Sequence, residues 1–142
     1  MKLVDLNVLL YAINKDAQEH APVHRWWESA LNGEEHIGLA WTVVLGFLRL
    51  TTRAGILPHP LTPTQALDTV QEWLDHPLVV VLHPGDAHWS HFRKLVETAG
   101  GAGNLTTDAH LAALAVEYDA TLYTTDHDFK RFAGVRVKQP AN

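Results

Sequence analysis

Five short apolar runs, KLVDL (2–6), HIGLA (36–40), LVVVL (78–82), TLYTT (121–125) and VRVKQ (135–139), alternate with stretches whose apolar residues recur at helical spacing. Strands separated by segments long enough to cross over pair in parallel, and a parallel sheet needs helices on both faces. LVVVL has no polar alternation, as a strand sealed on both sides requires. The fold class read from this alternation is α/β, a parallel sheet flanked by helices on both sides. A chain of 142 residues with 46% hydrophobic content suffices for one such domain, residues 1–142, and is too short for two ordinary ones.

The helices carry their own punctuation. NVLLYAIN begins the first, and AQEHAPVHRWWESALNG forms a second, with Trp27, Ala30 and Leu31 at helical spacing and Gly33 as a stop. TVVLGFLRLTTRAG forms a third that closes near Gly55. In the connector PHPLTPT, Thr62 stands before Pro63 as an N-cap with proline at the first helical position, so TQALDTVQEWLDH continues as a helix. DAHWSHFRKLVETAG is the next helix, GGAGN a flexible loop, and TDAHLAALAVEY a helix rich in alanine and leucine.

Composition excludes several classes. The absence of cysteine rules out a disulfide framework and thiolate metal sites, and agrees with a reducing cytoplasm. Asp5 and Asn7 interrupt any signal-peptide order, and no run reaches about 18 apolar residues, so the expectation is a cytoplasmic protein with no membrane span. A formal net charge of -5 is not the basic footprint of a general nucleic-acid binder. Contact with nucleic acid would need a local basic patch or bound cations.

Against this apolar framework three aspartates stand out. Asp5 breaks the run Leu3, Val4, Leu6, Val8, Leu9, Leu10, at the carboxyl end of the first strand, where a buried carboxylate is costly unless paired, hydrogen-bonded or bound to metal. Asp126 follows TLYTT at the carboxyl end of a later strand, and ligands of parallel sheets bind beyond those ends. Asp108 opens a helix on which positions 108, 111, 112 and 115 share one face, so it extends an inward apolar stripe. Each has a plainer role open to it: Asp108 as a first-turn acid on the helix dipole, Asp126 as a turn residue bonding its own backbone. Converging at one sheet edge, however, three carboxylates repel one another, and a hard divalent cation, Mg²⁺ or Mn²⁺, is the simplest compensation.

Other candidates read as structural. His20 and His24 are four residues apart without an HExxH pattern and read as packed or solvated. His110, two residues from Asp108, faces elsewhere. The five tryptophans read as core and interface anchors, with Trp26, Trp27 and Phe47 taken to form an exposed apolar surface that a partner covers. Arg49 and Arg53 read as solvated helix arginines.

Three stretches, MKLVDLNVLLYA, WTVVLGFLRLTT and NLTTDAHLAALAVEYDATLYTTDHDF, in this order with an aspartate in each of the outer two, resemble the PIN-domain ribonucleases. Within these the resemblance is to the VapC toxins of VapBC toxin–antitoxin pairs, and EWLDHP and GVRVKQP extend it over nearly the whole chain. The resemblance implies a Mg²⁺- or Mn²⁺-dependent endoribonuclease that hydrolyses RNA phosphodiester bonds. A VapB-like antitoxin would inhibit it, and a homodimer is expected. Asp5, Asp108 and Asp126 match the family's catalytic and metal-binding acids, Asp128 matches a nearby acid, and Asn7 and Thr106 lie beside the motif aspartates as supporting groups. Gly46 occupies the position where many PIN domains carry a glutamate, which leaves one or two metals open.

Two other classes remain. A receiver-like signalling domain also places acids at strand ends, but it needs paired acids after the first strand and DLN offers one. A non-cleaving PIN-like module that binds RNA or a partner is encouraged by Gly46 alone.

Overall fold

The computed structural model describes residues 1–141 and contains five strands and six α-helices. In chain order these are β1 (Lys2–Val4), α1 (Leu6–Ile13), α2 (His20–Leu31), β2 (Ile37–Leu39), α3 (Trp41–Thr52), α4 (Pro63–Asp75), β3 (Val79–Val81), α5 (His88–Ala99), α6 (Thr106–Glu117), β4 (Thr121–Tyr123) and β5 (Val137–Lys138). Short 3₁₀ turns cover Gly103–Leu105 and His127–Arg131. The strands form one sheet in the order β3-β2-β1-β4-β5, every neighbouring pair parallel. A receiver-type sheet runs 2-1-3-4-5, so this order removes that alternative.

Right-handed crossovers decide the layers. The steps β1 to β2 to β3 run toward one edge of the sheet, while β3 to β4 to β5 run back toward the other, which places α1–α4 on one face and α5–α6 on the opposite face. The helix contacts agree: α1 packs on α2 and α3, α3 on α4, and α5 on α6. Between the layers lies one cluster in which Leu3, Leu9, Ile37, Leu39, Phe47, Leu122 and Phe129 are fully buried. Each such side chain contributes roughly 1.5–3 kcal/mol of transfer free energy.

Local signals account for most element boundaries. The Thr62 hydroxyl accepts from the Gln65 N–H and the Gln65 side chain accepts from the Thr62 N–H, a complete capping box with Pro63 opening α4. Gly100 ends α5 at φ 82°, in the left-handed region. Helix α2 begins at His20 rather than Ala17, because the Asn14 side chain turns the chain by accepting from the Asp16 N–H. Helix α5 begins at His88, two residues later than the run DAHWSH indicated.

Two expectations change. Trp27 and Phe47 are 3% and 0% exposed and pack edge-on against Trp73, and Trp26 lies half-buried over Tyr123, so these residues belong to the core rather than to a partner surface. The exposed apolar side chains are instead Trp41, Leu45, Ile56, Leu67, Trp89 and Tyr118. Helix α6, expected to bury one stripe, is buried nearly all round from Ala109 to Ala115, because α5 covers the side that the sheet does not.

Candidate active site

The strand order reverses between β1 and β4: the chain leaving β1 crosses toward β2, and the chain leaving β4 crosses toward β5. This opens a crevice at their carboxyl ends. Asp5 directly follows β1, and Thr124, Thr125 and Asp126 directly follow β4. The Asp5 N–H still bonds Tyr123 O at 3.0 Å, so the two chain ends separate only after this point.

Asp5 has two duties. As N-cap of α1, its Oδ1 accepts from the Leu6 N–H at 2.7 Å. Its Oδ2 accepts from the Thr124 hydroxyl at 2.8 Å and from Asn7 Nδ2 at 3.2 Å. Burial raises its pKa above the ordinary carboxylate range; the bonds from Thr124, Leu6 and Asn7 work against this, and the charge of Asp126 adds to it.

Thr124, fully buried, is the residue that sequence reasoning missed. Its Oγ1 accepts from Asn7 Nδ2 at 3.1 Å and from the Asp126 N–H at 3.0 Å, so its single proton is committed to Asp5. Asn7 completes the tie by accepting from the Thr125 N–H at 3.1 Å. Asn7 therefore supports the carboxylates as expected, joining the β1 end to the β4 end. A threonine in a strand reads as an ordinary β-former, and the only available signal was its place at a strand terminus beside an acid.

Asp126 caps the following 3₁₀ turn, with Oδ1 accepting from the Asp128 N–H at 2.9 Å. Asp128 is exposed and reaches the site through that N–H and through its charge. Asp108 lies in the first turn of α6 and has no hydrogen-bond donor among the described residues. Desolvation pushes its pKa up to about 6, helped by the charges of Asp5, Asp126 and Asp128. Thr106 is exposed and makes no side-chain hydrogen bond among the described residues; the neighbouring Thr107 lines the cleft instead.

Asp5 and Asp108 share a cleft of about 150 Å³ with Leu6, Thr42, Val43, Arg49, Thr107 and Leu111. Larger hollows, about 270 Å³ beside α5 and about 320 Å³ beside α1 and α2, contain no paired carboxylates. Gly46, the position matched to a glutamate of many PIN domains, is buried against Leu6: a Cβ there would stand 2.7 Å from Leu6 Cδ2. Among the described residues no three His, Asp or Glu side chains close around one point. The donors are nonetheless all hard oxygens, and the carboxylates of Asp5 and Asp108 face one hollow under mutual repulsion, which suits a water-rich Mg²⁺ or Mn²⁺ shell.

The histidines are accounted for elsewhere. His20 Nδ1 donates to Tyr11 O at 2.8 Å and His24 Nδ1 to Ala12 O at 3.1 Å, satisfying carbonyls that the end of α1 leaves open. His110 turns toward α5 and meets His88 Nε2 at 2.9 Å.

Comparison with known proteins agrees with this geometry. The PIN domain family model matches residues 2–135. Ribonuclease VapC37 of Mycobacterium tuberculosis is 44% identical over 99% of this chain and 97% of its own length. Ribonuclease VapC33 of the same organism is 40% identical over 99% and 98%. Among solved structures, VapBC-1 from nontypeable Haemophilus influenzae aligns with TM-score 0.72 at 16% identity, over 99% of this chain and 98% of that one. VapBC2 from Rickettsia felis, bound to a promoter DNA fragment, aligns with TM-score 0.70 at 18% identity, over 97% of each chain. With acids placed at the switch point of a 3-2-1-4-5 sheet and full-length relatives of this identity, the chain belongs to the PIN-domain family, among its VapC ribonucleases.

Proposed function

We propose that residues 1–142 act as a single metal-dependent endoribonuclease domain, the toxin of a type II toxin–antitoxin pair. The observation that carries this reading is Asp108: a carboxylate with no hydrogen-bond donor among the described residues, facing the same cleft as Asp5 and raised to about 6 by burial and like charges. Such a group lacks the counter-charge that a cation supplies.

Asp5 and Asp108 would hold Mg²⁺ or Mn²⁺, with Asp126 holding a second cation or orienting the attacking water. When bound, the cation neutralises the scissile phosphate and stabilises charge developing in the in-line displacement. Water adds to phosphorus as the bond to the leaving nucleotide oxygen breaks; Asp126, whose Oδ2 has no protein donor among the described residues, accepts the water proton. Thr124 and Asn7 hold Asp5 and Asp126 in register, and Asp128 fixes the Asp126 rotamer through its N–H.

The relatives named VapC and the VapBC complexes among the structural neighbours support a VapB-like antitoxin as partner; the pair is proposed to act in the cytoplasm. Within the described residues no helix is long and apolar enough to cross a membrane. Trp41 and Leu45, one turn apart on the exposed face of α3, form the apolar surface from which we infer a homodimer.

The decisive experiment is cleavage of single-stranded RNA by purified protein. Cleavage should vanish in EDTA and return with Mg²⁺ or Mn²⁺. Undiminished cutting in chelator sinks the metal mechanism, whereas RNA binding without cutting under any metal leaves a non-cleaving PIN module.

A further inference from the structure

A chain of net charge -5 with carboxylates at its candidate centre repels a polyanion, so substrate affinity needs cations placed locally. Several cations are already engaged: Lys2 with Glu35, Arg93 with Glu97, and Arg136 with Asp119. Among those in no ion pair within the described residues, three border the carboxylates. Arg49 lines the Asp5–Asp108 cleft from α3. Lys130 and Lys138 line a separate hollow of about 150 Å³ on the opposite flank, together with Asp126, His127, Val137 and Gln139.

We propose that the Lys130–Lys138 hollow is a phosphate subsite for the RNA nucleotide beside the scissile bond, and that Arg49 serves the opposite flank. The inference rests on the ribonuclease reading. The 3₁₀ turn that follows Asp126 carries Lys130 and the edge strand β5 carries Lys138, so the element that presents the carboxylate also fixes the distance from cut bond to neighbouring phosphate. Lysine suits this role as a compact charge with three donors, and Val137 gives the sugar an apolar wall. Because Asp126 shares the hollow, a strand bound there runs across the centre instead of alongside it.

The test uses the double variant Lys130→Gln/Lys138→Gln in the full chain, with a fluorescent single-stranded RNA and Mg²⁺. KM should rise roughly tenfold with kcat unchanged at saturating RNA. The plot of log(kcat/KM) against log salt should become shallower by about 0.7, the value for the one phosphate that the protein no longer neutralises. A control pair, Lys15→Gln/Lys94→Gln, removes the same charge away from the centre and should leave both quantities at wild-type values. Unchanged KM and slope in the first pair, or an equal effect in the control, overturns the subsite. Anisotropy of the same RNA on an Asp108→Asn background repeats the comparison without cutting, so failure of the ribonuclease reading and failure of the subsite are separable. Tighter binding of poly-glutamate than of RNA at the hollow would assign it to an acidic protein segment and overturn the proposal.

Discussion

At the scale of single residues, Asp5 and Asp108 are acids of opposite structural character. An Asp5→Asn change puts an amide N–H₂ or a mismatched oxygen against donors already committed by Thr124, Asn7 and Leu6, so the metal-free protein should lose about 1–3 kcal/mol. The three bonds that Asp5 accepts make it a structural residue as well as a candidate ligand. Asp108→Asn removes repulsion and no hydrogen bond, so its melting temperature in EDTA should equal or exceed wild type, while Mg²⁺ should stabilise neither variant as it does the parent. The pH dependence has a definite sign. A carboxyl raised to about 6 makes the folded state bind more protons than the unfolded state between pH about 4 and 6, so metal-free stability falls as pH rises through that window. The metal-induced increment runs the other way and fades below pH 6, because the ligand must be deprotonated. The difference between wild type and Asp108→Asn in calorimetric scans from pH 4 to 7, taken with and without Mg²⁺, isolates both effects from the histidines. Thr124→Val should strand the Asp126 N–H, remove one of the two acceptors of Asn7 Nδ2 and take the hydroxyl donor from Asp5, costing about 1–3 kcal/mol and lowering metal affinity roughly 10–100-fold, with Thr124→Ser restoring both. Asp5 was legible because an acid in an apolar run has few explanations. Thr124 was not, because its partner Asp5 lies 119 residues away in the chain.

At the scale of elements, the crossing of α1 and α3 determines what the acidic cleft can contain. Gly46 lets Leu6 lie against α3, and Leu6 is the residue whose N–H Asp5 caps. Introducing the glutamate that many PIN domains carry, Gly46→Glu, should therefore displace Leu6 and bury a charge. The expected result is destabilisation of about 3 kcal/mol by denaturant titration, with no gain in metal affinity. Element identities were well marked, since the capping signal at Thr62–Pro63 and the αL glycine after α5 act within one turn. Starts without side-chain caps, at α2 and α5, were misplaced by two or three residues because no capping side chain marks them.

At the scale of the whole molecule, alternation of strands and helices told of a parallel sheet but not of its order, which depends on which faces the crossovers take. Nor did it tell which aromatics were interior: Trp27 and Trp73 meet only because α2 and α4 cover the same face of the sheet. The apolar area left outside, Trp41 at 46% and Leu45 at 57% exposure, is the surface on which the proposed homodimer would form. Light scattering should give a dimer for the wild type and a monomer for Leu45→Glu, with melting temperature little changed because that side chain contributes little to the core. A Leu45→Glu dimer would move the interface to another surface.

The tie between Asp5 and Thr124 also sets a clock. The ribosome makes Asp5 and its partner Thr124 119 residues apart, an interval of about 6–24 s at 5–20 residues per second. Until then β1 has no β4 beside it, and the nascent chain carries neither the crevice nor the bonds that hold the carboxylates in place. A nuclease whose site joins two distant stretches of chain should stay inactive until the second stretch has been made, and products terminated before Thr124 should lack the site for good.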